Sequence, residues 1–493
     1  MGYAIGRAGD VMVRTTFDHD HGTVSVGSSQ NIEIDLAGND IIGKCQGPIG
    51  VAVVDTTKAY VNCWITRRLA VVNLESQSLA ATVESAPGPR DDVEASVQRG
   101  RRFYFTGRGR WSNAGTNGAV GGEGWSSCGS CHPDGLTDNM TWIFASGPRQ
   151  TTSQDGTFSH GDPHQPQKQR ILNWTAIFDR HHDFERNTRD VSGGLGAITT
   201  AATIDDCNKL DKEIQVALAV GGVAIGGLGK PLKELADDPA VALCQHKDWD
   251  DVENFVRVIR PPRARRSIAD EKVHRGRELF VEGGCVQCHG GAGWTVSRLF
   301  FTPTSPTNAA LAVEPFLPPA FFPLTFTYPN GANPRTQISA QPPIPFADQT
   351  GPAEPAAIGI AEVACVLRNV GSFGVPDDTA ATDLLEVRPF QGNLVRSEGR
   401  AGYNVPSLYG VALGAPYLHH GQAPTLQALF TDPRWQFHTN AGNANFSLTL
   451  GDPAVLDDLI SFLWSIDAEQ PELGVATDPH TGNSFDACPS QFP

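Results

Sequence analysis

Two short stretches, Cys128-Gly129-Ser130-Cys131-His132 and Cys285-Val286-Gln287-Cys288-His289, constrain this chain of 493 residues more than any other feature. Each is a CxxCH pentapeptide. Two thiols three positions apart on a helical turn can reach the two vinyl groups along one porphyrin edge. The adjacent imidazole then points at the iron from one face. With 10 cysteines and 14 histidines in the chain, chance would supply on the order of 0.006 such motifs. Zinc is the competing reading. A structural zinc site takes a second ligand pair, usually within a few tens of residues, and here the second CxxC lies 157 residues beyond the first. The expectation is therefore two covalently bound c-type haems, anchored by Cys128, Cys131, Cys285 and Cys288, with His132 and His289 as axial ligands.

The sixth ligand of each iron is narrowed by composition. Only Met1, Met12 and Met140 exist, and methionine is the usual distal ligand that raises a haem potential. Met140 lies eight residues past His132, too close to swing across the ring, and nothing after the second motif is a methionine. At least one iron is then held by His, held by Tyr, or left open. The histidines to consider are His160, His164, His181 and His182 for the first motif, and His419, His420 and His438 for the second.

The chain also repeats itself. Gln98-Arg99-Gly100-Arg101-Arg102-Phe103-Tyr104-Phe105 precedes the first motif, and His274-Arg275-Gly276-Arg277-Glu278-Leu279-Phe280 precedes the second. Asp250-Asp251-Val252-Glu253-Asn254-Phe255-Val256 closes the first unit and Asp457-Asp458-Leu459-Ile460-Ser461-Phe462-Leu463 the second. Both closing segments place apolar residues at helical spacing behind acidic first turns, which the helix dipole favours. Arg260-Pro261-Pro262-Arg263 reads as the linker. Residues 302–356 hold 13 of the 35 prolines and predict a long irregular loop.

Before residue 93 the pattern is different. Ile32-Glu33-Ile34-Asp35-Leu36, Gly50 to Val54, Lys58 to Trp64 and Leu69 to Leu74 alternate with period two between Gly, Asn, Asp and Ser punctuation. The stretch from Ala59 to Val83 resembles a blade of the YVTN type of β-propeller, with a plain β-rich cap as the other reading. The expected architecture is thus mainly α: two tandem class I cytochrome c-like domains with long loops, residues 93–262 and 263–493, behind a small β segment, residues 1–92.

A net charge of −16 argues against nucleic acid, whose phosphates it would repel. No run of about 18 apolar residues suggests a membrane span. Met1 to Asp10 lack the basic and apolar regions of a signal peptide, whereas haem attachment takes place outside the cytoplasm. A chain numbered from after processing, or a piece of a longer precursor, reconciles the two and places it in the periplasm or outside the cell. Cys45, Cys63, Cys207, Cys244, Cys365 and Cys488 remain outside the motifs. An even number suits disulfides in an oxidising compartment. Fifteen connectivities are open; nearest-neighbour pairing gives 45–63, 207–244 and 365–488, and buried free thiols are the alternative.

Asn404-Val405-Pro406-Ser407-Leu408-Tyr409-Gly410-Val411-Ala412, then Ala415-Pro416-Tyr417-Leu418-His419-His420-Gly421 and Thr425 to Phe430 resemble the C-terminal signature of the bacterial dihaem cytochrome c peroxidase and MauG superfamily. The two-haem layout over residues 95–467 is similar as well. The resemblance implies a peroxidase or MauG-like oxidase in which the first haem meets peroxide and the second feeds it electrons from a redox partner protein or small donor. It implies a distal ligand beyond the signature. That position reads Trp435-Gln436-Phe437-His438, so His438 is carried over in place of the family's Met or Tyr. Gly147-Pro148-Arg149-Gln150-Thr151 and Asn173 to Arg180 match the family's N-terminal stretches loosely, with Phe178 where the family has Trp. Glu185 falls where the family has its distal acid–base group, though a surface Glu paired with Arg186 or Arg189 is the reading its own residues favour slightly. Trp294, five residues past the second motif, is placed near a haem edge or in the packing. The family also binds Ca2+, for which no ligands are assigned. A dihaem oxygenase is a variant of the enzyme reading. A pure electron carrier with both irons bis-His is the alternative from another class.

Overall fold

The computed structural model describes residues 2–25, 33–37, 44–107, 127–144, 147–170, 172, 174, 181, 251–297, 367–368, 387–390, 393–396 and 403–474. Backbone contacts divide them into two units, with breaks between Cys131 and His132 and between Phe255 and Val256.

The first unit opens with eight strands. β1 (Gly2–Gly6), β3 (Thr23–Ser25) and β4 (Glu33–Asp35) each pair antiparallel with β2 (Val11–Asp18). β5 (Pro48–Val53), β6 (Lys58–Cys63), β7 (Arg68–Asn73) and β8 (Ser78–Glu84) make an up-and-down antiparallel sheet. The alternation in β6 turns Ala59, Val61 and Cys63 inward, and the register sets Ala59 opposite Val72 and Val61 opposite Ala70. A one-residue slip would expose all of them. Cys63 and Cys45, both in this core, lie at disulfide distance with Cα atoms 5.1 Å apart. The 207–244 and 365–488 pairs lie outside the described residues.

Helix α1 (Asp92–Phe105) follows. The Asp91 carboxylate accepts the Glu94 backbone N–H, and Asp92 and Glu94 sit at the positive end of the helix dipole. Val97, Gly100 and Tyr104, at i, i+3 and i+7, are buried. Residues 251–255 are helical and cross α1 at Gly100, where an added Cβ would stand 1.7 Å from the Asp251 carbonyl oxygen. Arg99 clamps the crossing, its Nε and Nη2 donating to the Asp251 carboxylate at 2.6 and 2.9 Å. Helix α2 (Cys128–Cys131) carries the first two thiols.

The second unit repeats this crossing. After the hairpin of β9 (Thr141–Phe144) and β10 (Gly147–Gln150) comes α3 (Glu271–Glu282), capped by Asp270. It buries Val273, Gly276 and Phe280 at the same spacing as α1. The motif helix α4 (Val286–His289) is next, followed among the described residues by β11 (Leu367–Arg368), β12 (Val387–Phe390), β13 (Asn393–Arg396) and β14 (Tyr403–Asn404). Then come α5 (Leu426–Thr431), α6 (Gln436–Thr439), α7 (Phe446–Thr449) and α8 (Pro453–Leu463). α3 crosses α8 at Gly276, where a Cβ would stand 2.0 Å from the Asp458 carbonyl oxygen. Arg275 Nε and Nη2 donate to the Asp458 carboxylate at 2.7 and 2.9 Å. Leu456, Leu459, Ile460, Phe462 and Leu463 of α8 join Trp294, Trp435 and Phe446 in the core. Each such fully buried side chain contributes about 1.5–3 kcal/mol of burial free energy.

The expectation of a mainly α chain is corrected by these elements: the described residues are 30% helix and 22% strand, with several antiparallel sheets. The reason is local. The first 84 residues alternate rather than follow a 3.6 period, and the motif helices α2 and α4 are single turns.

Candidate functional site

The second CxxCH motif is a closed turn. The Cys285 carbonyl accepts the backbone N–H of Cys288 at 3.2 Å and of His289 at 2.8 Å, so one turn carries both thiols and the imidazole. The Val296 N–H closes back on the Cys288 carbonyl at 2.9 Å. Burial pushes the Cys285 thiol up to about 12, with Cys288 acting in the same sense, and burial raises Cys288 as well. Burial pushes the His289 imidazole down to about 3, and His438 adds to that effect; the Trp294 and Pro406 backbones oppose it. Burial alone holds His438 down to about 4. All four side chains nevertheless keep part of their surface accessible. Groups this deep that remain uncovered line a cleft.

His438 reaches that cleft from α6, a short turn set just after the fully buried Trp435. The Thr439 hydroxyl bonds back to the Trp435 carbonyl at 3.3 Å. Among the described residues the Nδ1 atoms of His289 and His438 and the Nε1 of Trp294 have no partner of hydrogen-bonding geometry. Buried polar atoms are ordinarily satisfied. Two thiols and an imidazole on one turn, a second imidazole acting on the first and an indole N–H without a partner among the described residues are a donor set that fits a haem.

The other second-motif candidates are differently placed. His419 and His420 are buried and ring-packed: His419 stacks on Tyr403 at 3.8 Å and lies 4.1 Å from His420, which lies 5.4 Å from Trp435. Burial holds His419 well below the ordinary imidazole value. Trp294 is fully buried against Phe280 and Phe462, at ring distances of 6.1 and 5.7 Å. The signature segment is tied to the loop carrying it, since the Ser407 hydroxyl donates to the Gly293 carbonyl at 2.6 Å and Thr295 to the Val405 carbonyl at 2.8 Å.

At the first motif, the Ser127 carbonyl accepts the Ser130 N–H at 2.9 Å, and Phe105 fills the space beside Gly129. Burial pushes the Cys128 thiol up to about 11, helped by Cys131. In the second unit, His132 Nδ1 lies 3.2 Å from the Leu136 carbonyl. With Nδ1 as donor, Nε2 is the nitrogen left for a metal. Burial pushes this imidazole down to about 4; Leu136, Asp138 and Thr152 oppose the shift and Arg170 adds to it. Among the described residues no second imidazole is one of these groups. Met140 is 56% exposed. His160 is engaged within its own loop, its Nε2 2.9 Å from the Pro166 carbonyl. His164 is exposed, and His181 stacks on Phe158. His182 and Glu185 lie outside the described residues. So does any test of a Ca2+ site there; among the described residues no three His, Cys, Asp or Glu gather in a metal-holding group.

Sequence reasoning missed Asp155 and Arg170. Asp155 is fully buried, and burial pushes its carboxyl up to about 6 against the pull of Ser153, Arg170 and Arg260. Arg170 is also buried and brought down to about 10 by that burial. Nothing in Gln167-Lys168-Gln169-Arg170 distinguishes it from a surface charge run.

No protein-family model matches the chain, and no curated protein matches its sequence. Among solved structures, a MauG-like protein associated with microbial copper homeostasis is similar over 77% of this chain and 93% of its own, at 17% identity and a TM-score of 0.35. Hydrazine synthase of Kuenenia stuttgartiensis is similar over 77% and 89%, at 13% identity and 0.30. A variant of a diheme peroxidase from Burkholderia thailandensis is similar over 87% and 100%, at 15% identity and 0.31. At such scores the likeness does not extend to a superimposable fold.

Proposed function

We propose that the chain is a dihaem c-type cytochrome of the periplasm or cell exterior that transfers electrons. In this reading the second centre is bis-His and the first is the one that reacts. The observation that carries it is the His289–His438 pair: two deep, half-buried imidazoles, His289 on the turn that holds Cys285 and Cys288 and His438 on α6, with His438 acting to lower His289. A haem bound at each motif would supply one-electron iron chemistry, and an iron with an open position can turn over peroxide. His289 and His438 would both hold the group at the second motif and so leave no open position there. At the first, His132 is oriented by the Leu136 carbonyl, and the groups bearing on it include a guanidinium rather than a second imidazole. Glu185 would move the proton there. Trp294 would donate its indole N–H at the edge of the second group. The electron donor would be a redox protein or a small reductant.

The alternative is a carrier with both irons six-coordinate, which His181 or His182 could complete. Pyridine haemochrome analysis and EPR of the oxidised protein separate the readings. Two haems, one high-spin and one low-spin, with the high-spin signal altered by peroxide, support the peroxidase-like enzyme. Two low-spin signals indifferent to peroxide support the carrier. Absence of covalent haem removes both.

A further inference from the structure

A cavity of about 30 Å3 lies in the second unit beside the loop that follows the second CxxCH motif. A water takes about 10–15 Å3 of such space, so the cavity holds two or three heavy atoms. Its wall includes Thr157, Lys168, Arg170, Gly291, Thr295 and Ser297, and no acidic side chain among the described residues. Lys168 is exposed while Arg170 is 4% exposed, so the two basic residues of the wall differ in depth. Arg170 remains charged at neutral pH even after its burial.

The two hydroxyls beside it are the second observation. Thr157 is 1% and Ser297 4% exposed, and neither Oγ has a hydrogen-bond partner among the described residues. Their backbone amides are already used, Thr157 N–H on the Gln154 carbonyl at 3.1 Å and Ser297 N–H on Thr295 Oγ1 at 3.0 Å. The Thr295 hydroxyl itself donates to the Val405 carbonyl. What the wall offers is two buried donors, the Lys168 ammonium, and Arg170, whose Nη1 also donates to the Leu172 carbonyl at 3.1 Å and whose charge acts on Asp155. Buried hydroxyls without partners are disfavoured unless something accepts from them, and the charge of the wall selects an anion.

We propose that this cavity is a binding site for a small oxyanion of three heavy atoms, a carboxylate of formate size, paired with Lys168 and Arg170 and accepting from Thr157 and Ser297. Sulfate and phosphate, with five heavy atoms, exceed the space. The site does not depend on the haem reading, because none of its donors belongs to a CxxCH motif.

Calorimetric titration of the purified full-length chain with sodium formate at pH 7 tests it, with sodium sulfate as the size control. One saturable formate site is expected, and sulfate about tenfold weaker or worse. Thr157→Val with Ser297→Ala keeps the shape of the wall, removes both donors, and should weaken formate about tenfold or more. Circular dichroism and the melting midpoint establish that this variant is folded. Lys168→Ala, at an exposed position, should weaken formate about threefold, an effect that salt erodes. The proposal is overturned by an absence of saturable formate binding, as would follow if a cofactor carboxylate already filled the space. Equal affinity for sulfate overturns it, as does formate binding untouched by both variants. Binding that shifts a visible absorption band equally in wild type and variants overturns it too, by placing formate on a metal centre.

Discussion

The first CxxCH motif follows a helix that buries Val97, Gly100 and Tyr104, and the second follows one that buries Val273, Gly276 and Phe280. Each helix meets its closing segment through glycine against an aspartate carbonyl, clamped by the preceding arginine on that aspartate. Beyond the crossing the two regions part. His289 has a second imidazole acting on it, while His132 has Arg170, Asp138 and backbone groups. The scaffold is duplicated and the environment of the proposed iron ligand is not. That is how one repeated frame could serve a closed relay centre and a reactive one.

The comparison breaks most completely at the cysteines. Replacing Cys285 and Cys288 with alanine should halve the haem content per chain by pyridine haemochrome and intact mass, leaving the first site's spectrum in place. Next in size, His438→Ala should convert one low-spin EPR signal to high-spin without changing haem content. If the spectrum stays as it was, His438 is not a ligand.

Gly100→Ala and Gly276→Ala should each cost about 3 kcal/mol, the upper end for overpacking, because the added methyl meets main chain that cannot rotate away. Denaturant midpoints check whether the two crossings are equally unforgiving.

Asp155 sharpens the contrast through pH. Its carboxyl is raised from 3.8 to about 6 in the folded chain, so the folded state holds that proton more tightly than the unfolded state. Below about pH 4 both states are protonated and the group is neutral to stability. From there to about pH 6 stability falls, by at most about 3 kcal/mol at 1.36 kcal/mol per pH unit. Asp155→Asn should flatten that part of the profile, and a flat wild-type profile would refute the assignment. The smallest effect separates the clamps. Asp251 is 2% exposed and Asp458 13%, so Arg99→Ala should cost about 2 kcal/mol and Arg275→Ala clearly less, the solvent screening the second pair.

Much of the proposed site was legible because it is local in the chain. Thiol and imidazole spacing within five residues needs no tertiary information, and the absence of methionine left histidine to take its place. His438 entered through a resemblance, and in the folded chain it acts to lower the His289 imidazole. The β segment was legible from its period-two alternation. The overall class was misread because cytochrome-like motifs were allowed to speak for loops that pair as hairpins instead. Asp155 and Arg170 were invisible for a different reason. Their burial is created by segments far along the chain, such as Tyr409 and Gly410, which pack around residues 155–156.

The Arg99–Asp251 and Arg275–Asp458 clamps join residues 152 and 183 positions apart. At about 5–20 residues per second of synthesis, each motif emerges on the order of ten seconds or more before the segment that shuts its frame. On the proposed reading, an attachment enzyme would meet the cysteines while they are still reachable. The late helix would then act as a latch, shutting the frame over a group already in place.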